Sequence, residues 1–271
     1  MQKTKDFLVC VDSDGCAIDT MNIKHIRCFG PSLVEEYNLH AHKDAILARW
    51  NDINLYTRTR GINRFKGLAM ILNEINAQYT AIEDVQSYID WVSDAKELSN
   101  ASLESYIQSH GGIALQKALS WSKRVNASID LLGDDDKRAF LSVKKSLEAI
   151  KDYADVAVVS SANKKAVQEE WDKNELLHCV DVIFTQEDGT KSDCIQKLLQ
   201  SGYEPTKVLM VGDAVGDLEA SEKNGVYFYP IAVNRENESW ENFATAFEAL
   251  QTGKYEDVQK SYVSAFLTAL P

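Results

Sequence analysis

Residues 7–15 read FLVCVDSDG: five apolar residues rich in β-formers that run without a break into two aspartates and a glycine. Four further short apolar runs follow, at 156–159 (VAVV), 180–184 (VDVIF), 208–211 (VLMV) and 226–231 (VYFYPI). Runs this short, with no polar alternation, fit strands covered on both faces, as in a parallel sheet. Between them lie helix-spaced patterns, at 163–177 (NKKAVQEEWDKNELL) and 191–200 (KSDCIQKLLQ). Strand and helix alternating from 156 onward predict a doubly wound α/β domain.

The interval from about 20 to 150 has a different pattern. Ile46, Leu47, Trp50 and Ile53 repeat with helical spacing, as do Leu68, Ile71, Leu72 and Ile75. Five or six helices and no strand are expected there. An interval of this length is no crossover loop. The predicted architecture is therefore a Rossmann-like parallel-sheet core, residues 1–20 and 152–271, interrupted by a large all-helical domain over 21–151. The tail, 239–271, predicts two more helices.

Composition narrows the function. Apolar residues are 45% and charged residues 26%, ordinary values for a folded chain, and Gly plus Pro is too scarce for a linker or collagen. The net charge of −12 speaks against polyanionic partners, nucleic acid or an anionic membrane. No apolar run reaches the ~18 residues of a membrane span, and Phe7 to Val11 is too short for a signal peptide, so a cytoplasmic location is expected. The five cysteines include no C-x-x-C, which suggests neither a disulfide framework nor a zinc site.

Carboxylates stand where two of the strands end. The first strand runs into Asp12 and Asp14, and the 208–211 strand into Asp213 and Asp217. Ligands of open α/β sheets bind beyond the carboxyl ends of strands. If these two strands are neighbours the acids converge, and a cation must offset their repulsion. Oxygen ligands in this number favour Mg²⁺. Ser160, Ser161 and Asn163 follow another strand and offer a hydroxyl and backbone N–H groups suited to phosphate. Lys191 opens a helix, where its charge opposes the helix dipole, so helix stability does not explain it.

Four ordered segments, VDSDG at 11–15, VVSSAN at 158–163, GTKSD at 189–193 and VGDAVGD at 211–217, resemble the motifs of the haloacid dehalogenase superfamily of phosphohydrolases. The insertion point resembles its helical-cap subclass, of which the phosphoglycolate phosphatases are members. The resemblance implies a Mg²⁺-dependent phosphatase acting on a small phosphorylated metabolite. Asp12 would be the nucleophile and Asp14 the acid and base. Mg²⁺ would be held by Asp12, the Asp14 carbonyl and Asp213, with Asp217 beside it and supporting Lys191. Ser160 and the N–H of Ser161 would bind the phosphoryl group. Asp14 argues against dehalogenation, which lacks this second aspartate in that family. Cys16 and Thr-Lys-Ser around Lys191 depart from the usual motif residues. A phosphomutase or phosphonatase on the same core, the latter needing a lysine such as Lys24 or Lys66, is an alternative. A non-catalytic phospholigand-binding protein is a second.

Within the helical interval, Arg58, Arg60, Arg64 and Lys66 cluster in an acidic chain. Planar guanidinium groups suit phosphate or carboxylate, so the segment is expected to bind an anion, against the alternative of a solvated face. Trp50, Trp91 and Trp121 are expected in the core of that domain.

Overall fold

The computed structural model describes residues 1–270, which divide into two compact units, 1–21 with 133–270 and 22–132. The first contains a five-stranded, wholly parallel sheet. Its strands are β1 (Phe7–Val11), β2 (Ala154–Val159), β3 (Val182–Phe184), β4 (Val208–Gly212) and β5 (Tyr227–Pro230), in the order β3-β2-β1-β4-β5. β1 is thus central: Phe7 pairs with Ala154 on one side and Leu8 with Val208 on the other.

The unit 22–132 is helical. After a π-helical stretch, Lys24–Phe29, come α1 (Gly30–Glu36), α2 (Lys43–Asn51), a second π-helical stretch, Asp52–Tyr56, then α3 (Arg64–Gln78), α4 (Val85–Asp94), α5 (Asn100–His110) and α6 (Ile113–Asp130). Its core includes Trp50, Trp91 and Trp121 as the spacing predicts, with Phe29, Phe65 and Tyr88.

Six helices complete the first unit: α7 (Val143–Ile150), α8 (Lys164–Lys173), α9 (Lys191–Leu199), α10 (Val215–Asn224), α11 (Glu236–Gln251) and α12 (Tyr255–Ala269). Successive strand residues point to opposite faces, and both faces are buried. Val9, Val11, Val156, Val158 and Leu209 pack with α7, α8 and α11. Leu8, Cys10, Ala157, Val159 and Met210 pack with α9, α10 and Phe266 of α12. The last helix, α12, covers the β5 edge, where Gln259 accepts from Phe228 N at 2.8 Å and Tyr255 donates to Phe228 O at 2.9 Å.

The helical unit ends sooner than 151. Residues 133–151 belong to the sheet-bearing unit, because α7 is amphipathic and buries Val143, Leu147 and Ile150 against the sheet core. Ser146 also donates to Trp240 O at 2.9 Å. The helical periodicity of α7 matches that of the preceding helices, so spacing does not reveal which core it joins.

Candidate active site

The site is assembled from the chain just past adjacent strand ends. β1 and β4 are neighbours in register, Val11 opposite Val211, and Asp12 N continues the ladder to Val211 O at 3.0 Å. Asp12 and Asp213 therefore leave the same rim side by side. After Asp14 the chain turns sharply: Gly15 has φ +78°, a conformation glycine adopts without strain. The N–H groups of Cys16, Ala17 and Ile18 all donate to Ser13 O. Ser13 N donates to Asp12 Oδ1 at 2.8 Å, and Trp171 Nε1 donates to Ser13 Oγ at 2.9 Å.

Asp217 lies in the first turn of α10, where its Oδ2 accepts from Ala214 N at 3.1 Å. Its carboxylate passes so close to Gly212 that a Cβ there would overlap it. Gly212 is thus required by the approach of Asp217. Lys191 is set by the N-terminus of α9: Gly189 has φ +121°, and Thr190 forms a capping box with Asp193. The Lys191 ammonium then bridges Asp12 Oδ2 at 2.8 Å and Asp217 Oδ1 at 2.5 Å.

The carboxylates of Asp12, Asp213 and Asp217 each offer an oxygen within 4.8 Å of the others, and all three residues are buried. Burial pushes the Asp12 carboxyl up to about 7, against the lowering by Lys191, and Asp217 adds to the rise. Asp217 is raised by burial too, with Lys191 opposing and the charge of Asp213 adding. Burial pulls the Lys191 ammonium down, but Asp12 and Asp217 outweigh it and the ammonium is held more firmly than usual. A buried carboxylate cluster with carboxylates still raised beside an ammonium is short of positive charge. Its donors are all hard oxygens, so it fits Mg²⁺.

The other expected residues are placed as follows. Asp14 is half-buried and its Oδ1 accepts from Thr20 Oγ1 at 2.6 Å. Thr20 is buried and fixes this carboxylate; the sequence offers no signal for it beyond its position after the first motif. Ser160 is buried at the end of β2, next to β1, and its Oγ accepts from Ala162 N at 3.1 Å. Ser161 is exposed just beyond. Asn163 is the N-cap of α8, its Oδ1 accepting from Ala166 N at 2.9 Å. Cys16 is a buried thiol whose Sγ lies 3.5 Å from Val211 O.

The arginines lie in the helical unit, and they do not form one solvated face. Arg58 is exposed, whereas Arg60 is 2% exposed and donates to Leu55 O at 3.0 Å. Arg64 is half-buried, donates to Asn126 Oδ1 at 2.7 Å and lies 5.0 Å over the Phe29 ring.

A sequence profile described as haloacid dehalogenase-like hydrolase matches residues 62–231. The match starts within the helical unit, so β1 and Asp12 lie outside it. No curated protein sequence matches the chain. Among solved structures, the fold is similar to that of a candidate phosphoglycolate phosphatase from Lactobacillus delbrueckii subsp. bulgaricus. That similarity has a TM-score of 0.50 at 13% identity, covering 83% of this chain and 85% of that one. A haloacid dehalogenase-like family hydrolase from Streptococcus pneumoniae aligns with a TM-score of 0.49 at 12% identity, covering 88% and 90%. Because the profile runs across more than half of the sequence, from the helical unit through the last strand of the sheet, the chain belongs to the haloacid dehalogenase-like hydrolases.

Proposed function

We propose that this hydrolase is a Mg²⁺-dependent phosphatase that cleaves a small phosphate monoester through an aspartyl-phosphate. The observation that carries this reading is the buried trio Asp12, Asp213 and Asp217, two members of which share the Lys191 ammonium. Phosphoryl transfer needs charge neutralisation and in-line positioning above all. Asp12, Asp213 and the backbone carbonyl of Asp14 would hold Mg²⁺, with Asp217 beside them. Bound there, the ion would neutralise the carboxylates and the phosphoryl oxygens.

Asp12 attacks phosphorus, giving the acyl phosphate and splitting one displacement into two. Lys191 keeps the Asp12 carboxylate oriented through the 2.8 Å contact and offsets charge on the phosphoryl group. Asp14 protonates the leaving alkoxide and then takes a proton from the attacking water; the hydrogen bond from Thr20 holds its carboxylate for both steps. Ser160 and the Ser161 N–H bind the transferring group. We assign Arg58, Arg60 and Arg64 of the helical unit to the binding of an anion. Five free thiols support a reducing, cytoplasmic setting.

The test is phosphate release from sugar phosphates, nucleotides and phosphoglycolate with Mg²⁺, with Asp12→Asn as control. Release that depends on Mg²⁺ and is lost in the variant is expected. Wild-type turnover by Asp12→Asn ends the assignment of the nucleophile. Transfer of phosphate within a sugar without release identifies a mutase.

A further inference from the structure

A second group of possible metal ligands lies in the sheet-bearing unit, away from the acids. Glu148 stands near the end of α7, and His178 and Cys179 form the short 3-10 turn Leu177–Cys179 between α8 and β3. Both elements lead into the amino-terminal ends of strands, whereas Asp12 and Asp213 leave the carboxyl-terminal ends. The trio therefore occupies the opposite rim of the sheet. A carboxylate oxygen, an imidazole nitrogen and a thiol sulfur all lie within 4.8 Å of one another. His178 Nε2 is 3.1 Å from Glu148 Oε1 and 3.3 Å from Cys179 Sγ.

One nitrogen thus faces two partners. Towards Glu148 it must carry a proton, since a carboxylate only accepts, and the thiol sulfur is a weak partner to it in either role. A cation at the common centre uses all three electron pairs at once. Ligand atoms around tetrahedral zinc sit about 3.3–3.8 Å apart, given bonds of roughly 2.0–2.3 Å, so the observed spacing needs only a small opening. Sulfur and nitrogen select a borderline-soft ion and disfavour Mg²⁺. Glu148 and His178 are half-exposed, at 47% each, which gives access and leaves a fourth position for water, while Cys179 forms the buried floor. Of the neighbouring charges, Lys144 is paired with Glu175 at 2.6 Å, and Lys151 adds a positive charge that opposes cation binding.

We propose that Glu148, His178 and Cys179 form a binding site for a divalent transition-metal ion of the zinc class, separate from the acidic centre. On binding, the Cys179 S–H proton leaves to solvent, the imidazole proton is exchanged through solvent from Nε2 to Nδ1, and the thiolate, the freed His178 Nε2 lone pair and the Glu148 carboxylate bond the ion; no electron changes hands. The ion ties α7 to the turn preceding β3, so it acts as a clamp on the fold.

The test titrates the full chain with Co²⁺ in saturating Mg²⁺, following thiolate-to-cobalt absorption in the near ultraviolet. One equivalent of tetrahedral Co²⁺, displaced by Zn²⁺, is expected. At saturation Zn²⁺ should raise Tm by about 4 °C. The band should vanish in Cys179→Ser. Because Cys179 packs in the core, the exposed changes His178→Gln and Glu148→Gln provide the second arm, with the first abolishing the band and the second weakening binding at least tenfold. Asp213→Asn should keep it. Absence of a band in the wild type, or a band that survives His178→Gln or is lost in Asp213→Asn, overturns the proposal.

Discussion

Buried carboxylates at opposite rims of one sheet, one at the amino end and a cluster at the carboxyl end, are treated in opposite ways. At the amino rim, Asp155 in β2 is buried and accepts from Thr4 N at 2.8 Å, Lys5 N at 2.9 Å, Thr4 Oγ1 and the Tyr203 hydroxyl. Burial pushes its carboxyl up, but these donors outweigh it and hold it below the usual range. At the carboxyl rim, Asp12 and Asp217 share Lys191 and remain raised. One carboxylate is fully served by the fold and ties the N-terminal segment to the sheet. The others are only partly compensated by one ammonium, which is what the proposed cation and phosphoryl site requires.

The contrast can be broken by mutation. Asp12→Asn should lower phosphate release by at least about 10³-fold while leaving the far-UV circular dichroism unchanged. Asp155→Asn should leave kcat within about twofold but cost about 2–4 kcal/mol of unfolding free energy by urea titration, since an amide N–H₂ would face donors. If Asp155→Asn instead abolishes turnover without loss of stability, the division of labour between the rims is wrong.

Metal removal and pH sharpen it further. Mg²⁺ at 100 times its Kd should stabilise the protein by about 2.7 kcal/mol, and Asp213→Asn should remove most of that gain. In chelator, the raised Asp12 makes the native state hold a proton that the unfolded chain has released. Stability should therefore fall as pH rises from about 4 to about 7. Asp155 has the opposite sign: its contribution is complete above the unfolded value, about 3.9, and is lost as pH falls below it. Urea midpoints with and without Mg²⁺ across pH 3 to 7 measure both slopes, and Mg²⁺ should flatten only the upper one. The smallest effect is Thr20→Val, about tenfold in kcat, through loss of the hydrogen bond that holds Asp14.

Much of this was legible in the residues. The strands were readable because both faces are buried, which makes their apolar runs continuous, and the acids follow strand ends directly. Lys191 was legible because its charge opposes the helix it opens. At Asn163 a cap and a phosphate ligand call for the same residue type at the same place, ahead of a helix, so residue type alone does not separate the two roles. Thr20 and the trio on the amino rim were hidden because their partners are distant in sequence or packed by tertiary structure. The end of the helical insertion was missed because α7 has the same periodicity whichever core it joins.

The central position of β1 has a consequence for biosynthesis. Leu8 finds its neighbours only at Asp155 and Val208, so β1 leaves the ribosome long before β2 can pair with one side of it, and longer still before β4 can pair with the other. The helical unit, with its own aromatic core, is made in the meantime and can fold first. Until β4 emerges, an apolar strand is left open to mispairing, and slow translation or a chaperone holding the N-terminus would raise the yield of native protein.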